Sequence, residues 1–187
     1  MAFRVLKSTK QVASIRIRTL ITAVVLVVLW GCGIASSTRM SAQTTPSVHY
    51  TWRTYTNVRF NYSICYPQEL LTPQGESANS DGQQFVAKDG AKLIAYGQFN
   101  SLNEPLKVAL EDTSIRLAGP SGKVTYKAVK GNWFVISGEN GKSVFYAKSI
   151  LTGDELKSYE LTYGMNESET YRPVIERISR CFASTLR

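Results

Sequence analysis

The stretch KVTYKAVKGNWFVISGENGKSVFYAKSILTGDELKSYELTY, residues 123–163, decides the fold class. Three turn signals divide it: Gly131-Asn132, Asn140-Gly141 and Thr152-Gly153-Asp154. The pieces between them, near 123–129, 133–138, 143–150 and 156–163, are rich in Val, Ile, Tyr, Phe and Thr. Those side chains suit a pleated, half-buried surface. Connections this short join antiparallel neighbours, because a parallel crossover needs about a dozen residues or more. Trp133, Phe134, Val135 and Ile136 follow one another without a polar break. Such a run is expected of a strand covered on both faces.

Working back towards the amino end, Phe60, Tyr62, Ile64 and Tyr66 alternate with Arg59, Asn61, Ser63 and Cys65. That period of two predicts a strand, which Pro67 closes. Residues 72–83 have no apolar periodicity and read as the longest loop. Strands near 84–88 and 91–98 flank Asp89-Gly90, a hairpin signal. Two segments change to helical period. In 103–118, Asn103 or Glu104 caps, Pro105 enters the first turn, and Leu106, Ala109, Leu110, Thr113 and Leu117 share a face, with Gly119-Pro120 as the stop. In 168–185, Tyr171, Val174, Ile175, Ile178, Cys181 and Phe182 form one stripe. Pro173 limits how early that helix starts.

Strands, a helix, four strands and a helix predict an α+β domain: an antiparallel sheet of about six to eight strands with two main helices packed on it. The domain spans 49–187. Tyr62-Ser-Ile-Cys-Tyr-Pro67 resembles the early strand exit of PsbP-like proteins, and Tyr171-Arg-Pro-Val-Ile-Glu-Arg-Ile-Ser-Arg-Cys-Phe182 resembles their last helix. The resemblance covers roughly residues 55–185. It implies an α-β-α sandwich, in a family that holds photosystem-associated extrinsic proteins and many bacterial envelope lipoproteins. It carries no catalytic residues to transfer, and a fold does not fix a function.

The amino end sets the expected address. Residues 1–31 run from a basic stretch into Leu20–Trp30, eleven residues with only Thr22 polar. As a helix this run rises about 16 Å, roughly half a hydrocarbon core, yet it suffices for the apolar part of an export signal. Its exit, Leu29-Trp30-Gly31-Cys32, resembles a bacterial lipobox at Leu29, Gly31 and Cys32, with Trp30 standing where a small residue is usual. The resemblance implies a signal peptide over 1–31, lipidation of Cys32 (a diacylglyceryl group, palmitate-like chains) and a membrane anchor. The alternatives are plain secretion and an uncleaved anchor that leaves a bitopic inner-membrane protein. Residues 32–48, nearly free of packing side chains, read as a flexible tether. Gly33 after Cys32 is not the Asp that retains enteric lipoproteins at the inner membrane, so the outer membrane is the expected site.

The composition is 43% hydrophobic and 19% charged, that of a globular chain. The net charge is +8, but five of the positives precede residue 31, and from Cys32 onward 17 basic residues face 14 acidic ones. A nucleic-acid binder carries its basic stripe on the folded part, so no nucleic acid is expected as partner.

Three cysteines leave Cys65 and Cys181 once Cys32 is assigned. An even remainder in an exported chain predicts a disulfide between them; the alternative is two separately buried thiols. Catalytic constellations are missing. His49 is the single histidine and adjoins the tether. Metal sites need more Cys and His ligands than remain. Gly138-Glu-Asn-Gly141-Lys142-Ser143 looks like the tail of a phosphate loop, but Ile136 stands where the first Gly belongs and a strand follows. Glu111-Asp112, Glu167 and Glu169 read as solvated helix charges. Ten tyrosines are expected chiefly in the core. No catalytic, metal or cofactor residue is assigned. The expected function is non-enzymatic: an envelope lipoprotein whose soluble domain binds another envelope component. The alternative is a small-ligand carrier with a cavity between sheet and helices.

Overall fold

The computed structural model describes residues 49–184; Cys32 and the tether lie outside them. The strands are β1 (Trp52–Asn57), β2 (Tyr62–Pro67), β3 (Thr72–Glu76), β4 (Gly82–Val86), β5 (Lys92–Phe99), β6 (Lys123–Lys130), β7 (Trp133–Asn140), β8 (Ser143–Thr152), β9 (Glu155–Gly164) and β10 (Ala183–Ser184). Helix α1 (Leu106–Ala118) follows β5, and α2 (Ser168–Cys181) follows β9 through the short 3-10 turn Met165–Glu167. Seven strands form one antiparallel sheet in the order β3-β4-β5-β9-β8-β7-β6, and β1-β2-β10 form a smaller one. The expected α+β sandwich is what the chain builds.

Side-chain alternation along β8 shows how the layers stack. Phe145 and Ala147 face α1, where Leu110 and Ala118 pack on them together with Phe134 and Ile136 of β7. Val144 and Tyr146 face the other way, towards the larger core. There Leu93, Ala95, Tyr159 and Leu161 receive Tyr171, Val174 and Ile178 of α2, and Phe60, Tyr62 and Ile64 of the β1–β2 hairpin. The apolar run at 133–136 is covered on both sides, as its sequence requires: Phe134, Val135 and Ile136 are all buried.

Four local readings are corrected. Residues 72–83 are not one loop, because Thr72–Glu76 pair with β4 as the edge strand β3. Every residue of β3 is exposed and its register breaks between Pro73 and Glu76, so no burial alternation was imposed on its sequence. Pro and a bulge are the usual devices that blunt a sheet edge. Helix α2 stops at Cys181 rather than 185, since Ala183 pairs with Ser63 of β2. Helix α1 starts at Leu106, because Asn103 takes φ +50° in a turn closed by Asn100. Phe60 lies in the β1–β2 turn, where Asn57, itself buried, accepts the Phe60 N–H at 2.8 Å and donates to the Ser80 carbonyl at 3.0 Å. Its ring packs on Gly97, where a Cβ would lie 2.4 Å from Phe60 Cβ.

Candidate functional site

Helix α1 packs over β7 and β6, and the same sheet face over β5 and β9 stays open beside it. The result is a groove of about 610 Å³ between the helix, these strands and the β5–α1 loop. That volume lies within the usual range of ligand pockets. It is an open cleft with mixed polar and apolar walls, unlike the closed apolar cavity a small-ligand carrier would need.

An ion pair lies in the floor. Glu160 sits on β9 at a position whose neighbours Tyr159 and Leu161 point into the opposite core. Its parity therefore turns it towards α1. Arg116, in the last turn of α1, donates to it through both terminal nitrogens, at 2.9 Å and 2.5 Å. Tyr96 of β5 adds a third bond, its hydroxyl donating to Glu160 at 2.7 Å. The Glu160 side chain is 8% exposed and that of Arg116 53%. The hydrogen bond to Glu160 raises the Arg116 pKa further above its ordinary value. Burial pushes the Tyr96 phenol up, and the Glu160 charge pushes it the same way.

The rim is apolar and wet. Phe99 is 52% exposed and Leu102 80%, while Ile94 is partly open beside them. Large exposed apolar side chains around a fixed polar floor suit docking, because burying them supplies the driving force and the polar groups set register. Two further carboxylates, Glu104 and Asp112, line the walls. Asp112 is thus a wall of the groove, whereas its neighbour Glu111 is held at 3.2 Å by Lys127.

The cysteine pair is brought together. The sulfurs of Cys65 and Cys181 lie 2.01 Å apart, a bonding distance, across 116 residues of sequence. Cys65 alternates with the aromatic side of β2. The chain leaves α2 alongside β2, pairing Ala183 with Ser63, so the last helical turn reaches Cys65. Arg177 lies over the Trp52 ring at 4.6 Å, tying α2 to β1.

The other candidates stay apart. His49 is exposed at the edge of the described residues. Asn140-Gly141 makes the turn between β7 and β8, with Gly141 at φ +60°, and Lys142 follows it in the open, with no helix to hold a phosphate. Glu167 accepts from Asn166 at 2.8 Å, and Glu169 pairs with Arg172 at 2.9 Å. The turn between β3 and β4 is ordered by Asp81, which accepts from Ser77 and from Asn79; these bonds hold its carboxyl below the usual range. Of the tyrosines, Tyr62, Tyr159, Tyr163 and Tyr171 are buried and Tyr126 is exposed. Tyr96, Arg116 and Glu160 were not picked out by sequence reasoning. The one available signal was Glu160 itself, a lone carboxylate inside the otherwise strand-like run Ser158–Tyr163.

No family model matches this chain, and no curated protein sequence matches it. Among solved structures it is similar to the solution structure of cyanobacterial PsbP (CyanoP) from Synechocystis sp. PCC 6803, with a TM-score of 0.53 and 11% identity over 75% of this chain and 96% of that one. The likeness is one of fold, and the fold is PsbP-like.

Proposed function

We propose that this chain is an exported envelope lipoprotein, held at a membrane by acylated Cys32 and the tether 32–48, whose folded domain binds another envelope protein through the groove beside α1. It works as a binding module without catalysis. The observation that carries the binding reading is the exposed rim of Ile94, Phe99 and Leu102 around the neutralised Arg116–Glu160 pair. Exposed apolar side chains grouped with polar ones in this way mark interaction surfaces. The export reading is supported by the short apolar leader before Cys32 and by the closeness of Cys65 and Cys181, since disulfides persist in oxidising compartments.

Site-specific photo-crosslinking in cells of the source organism tests it. A photoreactive amino acid at Leu102 should give a discrete adduct with one envelope protein, whereas the same residue at Lys142, in the β7–β8 turn, should not. Equal smears from both positions, or no adduct at Leu102, would reject the groove as a binding surface.

A further inference from the structure

The charge of the groove narrows what it binds. Arg116 spends its terminal nitrogens on Glu160, so neither member of that pair presents a net charge. Glu104 and Asp112 remain on the walls, and neither forms an ion pair among the described residues. The groove therefore carries a net negative charge on a folded part that is net positive, with 16 basic against 14 acidic residues over 49–187. A carboxylate- or phosphate-bearing ligand would meet two uncompensated carboxylates. A cation would be drawn in, and its apolar neighbours would cover Phe99 and Leu102.

Resting on the groove reading above, we propose that its occupant is a peptide segment of the partner in which a lysine or arginine stands next to bulky apolar residues. The cationic side chain faces the wall that carries Glu104 and Asp112, and the apolar ones sit on Ile94, Phe99 and Leu102. The long basic side chain suits this arrangement, because its methylenes rest on apolar surface while the charged end reaches the carboxylates. Complementary charge also selects against acidic partners and speeds encounter.

The test uses the full processed protein in zwitterionic lipid nanodiscs, with empty nanodiscs as the blank. The probe is a fluorescein-labelled octapeptide, Gly-Lys-Leu-Lys-Phe-Ser-Gly-Gly, and its counterpart with Glu at both Lys positions; binding is read by anisotropy. The lysine peptide should bind at least about tenfold more tightly than the glutamate one, and should weaken several-fold between roughly 0.05 and 0.5 M salt as the Debye length shrinks. Glu104→Gln with Asp112→Asn should remove about five- to tenfold of the affinity for the lysine peptide and little of that for a peptide with Ser at both Lys positions. Both substitutions lie on exposed positions, and an unchanged circular dichroism spectrum confirms the fold. Equal affinity for the lysine and glutamate peptides, or no effect of the double substitution, would overturn the proposal. If the Leu102 adduct forms but the lysine peptide does not compete with it, the groove still binds and only the basic-peptide chemistry fails. If no adduct forms, the groove reading fails with it.

Discussion

Alkali should unfold this domain through its buried phenols. Tyr62, Tyr159 and Tyr171 are each fully buried. The Tyr171 hydroxyl donates to the Asp89 carboxylate at 2.9 Å, and that of Tyr62 to the Asp81 carbonyl at 3.3 Å. Tyr159 stacks on Tyr146. Burial is the leading cause that raises all three pKa values above 10. Below pH 10 folded and unfolded chains both hold these protons, so the stability is fully present. Above it the unfolded chain ionises while the folded one does not, and the stability falls as pH rises towards the folded values. Each such phenol removes about 1.4 kcal/mol per pH unit, and the three together about 4 kcal/mol per unit. Tyr55, raised to about 12, and Tyr163 act in the same direction. A domain stable by about 5–8 kcal/mol is thus exhausted near pH 11–12. A stopped-flow pH jump that follows tyrosinate absorbance at 295 nm beside far-ultraviolet circular dichroism reads this directly. The buried phenols should ionise only together with the loss of the β signal. Ionisation of all ten tyrosines near pH 10 with the circular dichroism intact would refute the reasoning.

Three other perturbations follow from the same structure. Cys65→Ala with Cys181→Ala should lower the urea-unfolding free energy by about 3–5 kcal/mol, because the pair closes a loop of over a hundred residues; a loss below about 1 kcal/mol would mean the bond does not form. Arg116→Ala should cost about 2–4 kcal/mol by leaving the Glu160 carboxylate buried with only the Tyr96 hydroxyl. Adding Glu160→Gln should recover part of that loss in chemical denaturation, and no recovery would mean the ion pair is not what Arg116 contributes. Gly97→Ala should destabilise by about 1–3 kcal/mol, because the new methyl meets the Phe60 side chain at 2.2–2.6 Å; an unchanged thermal midpoint would contradict this packing.

The meander at 123–163 was readable because turn residues stand at the ends of its strands and β7, β8 and β9 each bury at least one face. β6 through β9 follow those signals within two residues. Edge strand β3 was not readable, since both of its faces are exposed and burial never shaped its sequence. The α2 stripe could be read down to Ile178, but the stop at Cys181 depends on pairing with β2, a partner more than a hundred residues away. The cysteine pair was visible by counting. The groove was not, because its parts come from β5, α1 and β9, and each is ordinary in its own segment. Arg116 looks like a helix-end cation and Tyr96 like a strand aromatic. Only the order β5-β9-β8-β7-β6, with α1 resting on its far half, sets them around Glu160.

The proposed role requires that the chain be carried out of the cytoplasm and fixed by lipid. Intact mass spectrometry of the protein extracted from membranes, without reductant, tests this in one measurement. The mass should be that of a polypeptide beginning at Cys32, heavier by a diacylglyceryl group and lighter by two hydrogens for a Cys65–Cys181 bond. A mass equal to the full 187 residues with three reactive thiols would contradict it.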